Sequence, residues 1–412
     1  MSEAKKASIA YLLTVFILVL GSSILIPIIP FYVIDLGIGM GTLGLISSVS
    51  QIFIALASLL IPVLMPVTGY FRTFALGTFL VVLSRLAYVG SVALHGSLMA
   101  FAVGYVLSSL RMPVIFTSRT AIVAEYVPSR RRATAMGAVS AVAMLASCMG
   151  PYLGSYLYEG MGLGYLGAFT ASLGLTAFSL TPLAPVLIND PTKSRWSTNL
   201  KEEVSGLAKV FGLPKLKRAL LLFSLDSFTW GLVGPFTSIY YAKVLNAVPY
   251  ELATVTLITN VISIGFFPFS GALSDKLRRR VPFLALSEAA GIMYFSLILL
   301  AEDMKLVYLA SSLMALVITF WGPLAGTLIT ELAEEADKSL VPSAISAWST
   351  LRQVLRIPAS LIGGLMFDAN PRAPFEVTIA LLCLLAMLLS VLLSEAPQAK
   401  RDKGQPAGLR EA

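Results

Sequence analysis

Apolar runs recur along almost the whole chain, and each is too long for the core of a small soluble domain. The first reads ASIAYLLTVFILVLGSSILIPIIPFYVI (residues 7–34). A helix needs ~20 residues to cross a hydrocarbon core of ~30 Å. Inside lipid every backbone N–H and C=O must be satisfied by the segment itself, so such a run has to be helical. Twelve candidate spans follow one another at 8–34, 41–65, 72–94, 97–125, 134–158, 164–187, 219–242, 250–274, 281–301, 304–330, 341–367 and 374–394. The expected fold is an all-α polytopic membrane protein. Only 13% of residues are charged and 57% are hydrophobic, against about a quarter charged in soluble chains. The first run is too long for a signal-peptide core and no small-residue cleavage site follows it, so it reads as a retained span. Cys148 and Cys383 both sit in apolar runs and offer no disulfide or metal framework; His95, at a helix end, reads as an interfacial residue.

Charge sets the orientation. With the N-terminus inside, 22 of the 30 lysines and arginines fall on the inner side, three fall outside (Lys243, Lys305 and Arg372), and five lie within spans. The positive-inside rule therefore places both termini in the cytoplasm of a cell-membrane protein. The net charge of +8 is a topology signal and calls for no nucleic-acid partner. Four units are expected: an N-terminal six-helix bundle (1–188), a basic cytoplasmic linker (189–218), a C-terminal six-helix bundle (219–395) and a disordered tail (396–412). Within the linker, Asn199 to Phe211 can form a short amphipathic helix on the membrane surface.

Six spans, a loop and six more spans suggest duplication, and a constant offset of 209 residues appears in three places. Position 66 precedes Asp275 by 209, between the second and third spans of each half; Pro113 precedes Gly322 by 209, in the fourth spans. GPYLGSYLYE ends at Glu159 and PASLIGGLMFD ends at Asp368, again 209 later, with Gly154 matching Gly363.

Over residues 8–395 this pattern resembles the major facilitator superfamily, and the resemblance implies two pseudo-symmetric six-helix bundles working by alternating access. GALSDKLRRR (271–280) looks like the signature loop of that family. Gly271 then allows close helix approach, Asp275 latches one conformation, and Arg279 with its neighbours anchors the inner face. The match departs at Arg278, where a glycine is usual, and the first-half copy is degenerate, with Pro66 and Val67 at the acidic and basic positions. ASCMGPYLGS (146–155) is similar to the fifth-helix motif of drug and metabolite exporters; Ala146, Gly150 and Gly154 make a flat face and Pro151 sets a bend. The exporters' fourth-helix arginine–glycine motif is not met: its arginine would fall near Tyr105.

Transporters of this architecture bind cargo near the midplane along the first and fourth spans of each half. Spans 1, 4, 7 and 10 carry breakers there: Pro27 and Pro30, Pro113, Gly234–Pro235 and Gly322–Pro323, expected as bends for gating. On span 4, Ser108, Arg111, Ser118, Arg119 and Glu125 fall within an arc of about 120°. Arg111 lies ~20 Å from the outer end, at binding depth, and Arg119 ~31 Å, where it and Glu125 form an inner rim. Span 11 adds Arg352 and Arg356, one turn apart; Arg85 sits on span 3, a more peripheral helix. Against five intramembrane arginines stand two acids, Asp226 on span 7 and Glu288 on span 9, the latter expected to pair with an arginine of its own half. The surplus of positive charge favours an anionic cargo. Asp226 shares a helical face with Trp230, Thr237, Tyr240 and Tyr241, within about 60°. It either exchanges a proton during transport or forms a salt bridge to an arginine. Trp321 is expected to close the opposite wall.

The expected function is secondary transport of a small amphipathic or anionic organic solute, as proton-coupled efflux by a monomer in contact with membrane lipids. Uptake of an organic anion and lipid translocation are the alternatives. The expected cargo-binding set is Arg111, Trp230, Tyr240, Trp321, Arg352 and Arg356, with Asp226 for proton coupling and no cofactor, metal or catalytic group. One histidine and few intramembrane acids argue against a membrane-embedded enzyme, and no GxxxxGK loop points to ATP.

Overall fold

The structure, a computed structural model, describes residues 3–127, 132–185, 209–277, 279–337 and 340–393. The linker helix expected at Asn199 to Phe211 falls largely outside the described residues, and the tail wholly so, as do the side chains of Pro66, Glu125, Gly271 and Asp275. All regular structure among the described residues is helical. Nine helical segments there are long and apolar enough to cross a membrane: Met40–Ile61, Tyr70–Ala93, Leu98–Val123, Thr134–Gly160, Pro214–Val244, Pro249–Phe267, Val281–Leu300, Met304–Ala336 and Ala373–Leu392. They are spans 2–5, 7–10 and 12.

The other three spans are interrupted, short or polar, for readable reasons. Span 1 is two helices, Glu3–Ser23 and Ile29–Asp35, separated by a turn before Pro30. Span 6 is the 15-residue helix Gly164–Phe178, continued by turns. Span 11, Val341–Ala369, has 29 residues but carries Arg352, Arg356 and Asp368.

The expected mid-span bends divide into two kinds. Span 7 breaks at 234–236 between Pro214–Val233 and Thr237–Val244, as span 1 breaks at its own equivalent position. Pro113, Pro151 and Pro323 instead lie inside helices that continue through them, where a proline can bend a helix without ending it. A proline leaves the carbonyl four residues earlier without its helical donor, a costly state in hydrocarbon. Neighbouring serines meet that need. Ser270 Oγ of span 8 donates to Thr319 O at 3.0 Å, four residues before Pro323, and Ser360 Oγ of span 11 lies 3.5 Å from Gly231 O, four before Pro235.

The two halves repeat their internal neighbours. Span 1 packs on 5 and 6 as span 7 packs on 11 and 12; 2 packs on 4 as 8 on 10; 3 packs on 4 and 6 as 9 on 10 and 12. Gly154 and Gly363 show what the repeat preserves. A Cβ at Gly154 would collide with the Ile24 carbonyl of span 1, and one at Gly363 with the Leu232 carbonyl of span 7. Each glycine lets two backbones touch beside a break.

Between the halves, span 2 meets 11 and span 5 meets 8. The polar contacts among the described residues lie toward the end away from the chain termini. Asp368 accepts from Met40 N at 2.8 Å and Gly41 N at 2.6 Å, capping the start of span 2. Ser47 donates to Ser360 at 3.1 Å, Tyr152 meets Thr254 at 2.9 Å, and Asn260 donates to Ser147 at 3.2 Å. Beyond Ser48, span 2 exposes Ile52, Phe53, Leu56, Leu59, Leu60 and Leu64. Among the described residues the halves are bonded to each other at that end and not at the other. Glu159, the repeat counterpart of Asp368, makes no equivalent cap; Val248 N at the start of span 8 donates to Glu251 at 2.9 Å instead.

Candidate functional site

The charges of the C-terminal half converge on span 7, about two turns before its break. Asp226 lies 12 residues into Pro214–Val233, ~18 Å along the helix, and is 3% exposed. Gly231, one turn on, allows span 11 to close in: a Cβ there would come within 2.8 Å of Ala359 Cβ and 3.4 Å of Arg356 Cγ. The close approach puts Arg356 and Arg352 within electrostatic reach of Asp226. Arg352 is held by its own contacts. Its Nε donates to Ser227 Oγ at 3.2 Å and its guanidinium stacks 4.9 Å from the Trp348 ring. Trp348 has room because Gly326 of span 10 faces it. Among the described residues neither arginine comes within 4.0 Å of a carboxylate oxygen of Asp226, so no tight salt bridge locks the site.

Glu288 of span 9 is 2% exposed and stands beside Asp226, not with an arginine as the sequence suggested. The reason is that spans 7 and 9 both face the centre of the C-terminal half. Asp226 Oδ1 and Arg356 Nε are buried without a hydrogen-bond partner among the described residues. The Asp226 and Glu288 carboxyls adjoin each other, and two carboxyls can hydrogen-bond only when one of them carries a proton.

The aromatic candidates divide. Trp230 adjoins Asp226 and packs on Phe295 at 5.2 Å, over Gly291 of span 9. Trp321 is 8% exposed and sets its edge against Phe223 at 5.3 Å; Phe223 in turn meets Trp348 at 6.3 Å. Trp321 thus supports the arginine site through packing. Tyr240 is not in the cluster. It is 2% exposed and packs against Phe375 at 4.8 Å and Phe367 at 6.5 Å. Helical-wheel angles carried past the break at 234–236 lose their meaning, which is why Tyr240 and Tyr241 appeared to share a face with Asp226.

In the N-terminal half, Arg111 is half-buried and makes no hydrogen bond or ion pair among the described residues. Arg85 of span 3, absent from the sequence-based site, approaches it: Arg85 Nη1 donates to Ser108 Oγ at 3.4 Å, one turn from Arg111. Arg119 turns away, donating to Ser140 Oγ at 2.6 Å and Met136 O at 3.3 Å, and ties span 4 to span 5.

A model of the Major Facilitator Superfamily matches residues 11–360. The chain belongs to the major facilitator superfamily. As a superfamily member it is a membrane transporter of small molecules and not an enzyme. The quinolone resistance protein NorA of Staphylococcus aureus (strain COL) is 25% identical over 399 residues, covering 94% of this chain and 96% of that protein. Among solved structures, the nucleoside transporter NupG overlays with TM-score 0.73 at 13% identity (96% of this chain, 100% of that one). The human organic anion transporter MFSD10 overlays with TM-score 0.63 at 15% identity (94% and 100%). These overlays establish the fold. Between spans 8 and 9, Arg279 is exposed and its carbonyl accepts from Ser274 Oγ at 3.3 Å, while Arg280 pairs with Glu331 at 3.1 Å.

Proposed function

We propose that this transporter carries a small amphipathic or anionic organic solute out of the cell in exchange for protons, with Asp226 as the proton site. The observation that supports this most is the placement of Asp226. It is buried at mid-depth, about two turns before the break in span 7, with one carboxylate oxygen unpartnered and two arginines near but not bonded. A carboxylate so placed can exchange its proton for electrostatic contact with Arg352 and Arg356, and that exchange moves span 11 relative to span 7. With the termini in the cytoplasm, the joined end faces outward and the parted end inward, as a state that receives cargo from the cytoplasm would require. The likeness to a quinolone resistance protein over 94% of the chain favours efflux over uptake.

The test is accumulation of a fluorescent quinolone and of a fluorescent anionic amphiphile in a host lacking its own exporters. Wild-type protein is expected to lower accumulation of at least one dye several-fold, a protonophore to abolish the effect, and Asp226→Asn to behave as the empty host. Accumulation raised above the empty host would assign uptake, and an effect that survives the protonophore would remove proton coupling.

A further inference from the structure

The structure separates the intramembrane charges by half, and the separation carries a second site. Both buried acids, Asp226 and Glu288, lie in the C-terminal half with Arg352 and Arg356 for company. Arg85, Arg111 and Arg119 lie in the N-terminal half, whose spans 1 to 6 hold acids only near their ends: Glu3, Asp35, Glu125 and Glu159. Arg119 is accounted for by its bonds to span 5. Arg85 and Arg111 are not.

Arg85 is 2% exposed in the packed interface of spans 3 and 4. Its bonds are long, 3.3 Å to Ser84 Oγ and 3.4 Å to Ser108 Oγ, and its Nε is buried with no partner. The Tyr88 ring lies 5.7 Å from its guanidinium carbon. Arg111, three residues beyond Ser108, is close enough that the two guanidiniums repel each other and both feel the Tyr88 hydroxyl. Tyr105 of span 4, which meets Ser47 of span 2, lies near Tyr88. Like charges brought together in the membrane, with no acid between them, cost several kcal/mol in any current estimate. Guanidiniums with free N–H groups are also the side chains best shaped to grip a carboxylate or phosphate in two-pronged fashion.

We infer that Arg111 and Arg85, with Ser108 between them, form an anion subsite that takes the carboxylate, phosphonate or phosphate group of an organic cargo molecule. The subsite rests on the transporter reading given above and narrows its cargo to organic anions. It leaves the proton site in the opposite half. Arg111, with free donors and partial exposure, contacts the anionic group; Arg85 completes the charge and holds Ser108 in place.

The test uses full-length protein in phosphatidylcholine nanodiscs, with phenylphosphonate as probe and benzamide and benzylamine as neutral and cationic controls. Binding is followed by thermal stabilisation and by ³¹P line broadening of the probe. Phenylphosphonate is expected to stabilise the protein in a saturable way, with benzamide and benzylamine inert, and Arg111→Gln to weaken its apparent Kd at least tenfold. Arg85→Lys retains a charge in the buried position and is expected to fold; it should weaken Kd several-fold through loss of the guanidinium geometry. Saturable broadening that is unchanged in both variants, or no response of wild type to the probe, would overturn the subsite. Nanodiscs containing phosphatidylglycerol supply a net-anionic lipid headgroup as competitor. Displacement of the probe by that lipid would assign the site to a headgroup and overturn the cargo reading. Binding is measured with no gradient, so indifference of transport to pH would remove the proton site and leave this one standing.

Discussion

Replacing Asp368 by asparagine perturbs the joined end of the molecule at a single point. The carboxylate of Asp368 accepts from Met40 N at 2.8 Å and Gly41 N at 2.6 Å, and so closes the span 2–span 11 seam over the first turn of span 2. Asparagine is nearly isosteric and keeps one accepting oxygen, but loses the charge and one of the two bonds. A hydrogen bond to a charged group contributes about 1.5–3 kcal/mol. Asp368 is exposed, so water replaces much of that, and about 1 kcal/mol is the reasonable loss. Charge at a helix N-terminus adds about 0.3–1 kcal/mol. Together, about 1.5 kcal/mol moves the joined-to-parted ratio at this end roughly tenfold. The assay is electron–electron distance measurement between spin labels at Leu94→Cys and Asn246→Cys, in a background where Cys148 and Cys383 are replaced by serine. Leu94 and Asn246 are exposed in end turns of opposite halves. Asp368→Asn should populate a longer distance, and Asp368→Glu should restore part of the short one. An unchanged distribution in Asp368→Asn would refute the idea that this cap holds the end closed.

Two further outcomes follow from packing. Gly154→Val and Gly363→Val each drive a side chain into a first-helix carbonyl of their own half, so both should lower the midpoint of thermal unfolding by many degrees and remove transport; tolerance of either would mean the spans can separate there freely. Ser270→Ala strips the Thr319 carbonyl of its donor beside Pro323 and should cost about 1 kcal/mol, read as a small drop in the same midpoint while a distant exposed serine such as Ser390→Ala leaves it alone.

The large-scale architecture was legible because lipid imposes long apolar helices and because duplication leaves matched residues. The 209-residue offset placed Gly154 opposite Gly363 before any contact was known, and both prove to receive a carbonyl from the first span of their half. The breaks in spans 1 and 7 were legible from proline and glycine, while the prolines of spans 4 and 10 lie in continuous helix. Whether a proline interrupts a helix depends on what meets the freed carbonyl, and Ser270 sits on another span. The site was legible residue by residue and hidden in its pairings. Asp226, Arg352 and Arg356 stood out as charges in lipid, yet nothing in the chain order joins Glu288 to Asp226 or Arg85 to Arg111. Trp348 drew no notice because its role is a ring beneath Arg352. The Tyr240 error came from extending one helical wheel across two helices.

The account turns on Asp226 as the group that ties proton movement to transport. The most direct measurement is solute movement in proteoliposomes with an imposed pH gradient of either sign, comparing wild type with Asp226→Asn at equal incorporation. Wild-type protein should drive the solute uphill against the proton gradient and reverse when the gradient is reversed, and Asp226→Asn should only equilibrate it. A wild type indifferent to the gradient, or an Asp226→Asn variant that still concentrates the solute, would contradict the account.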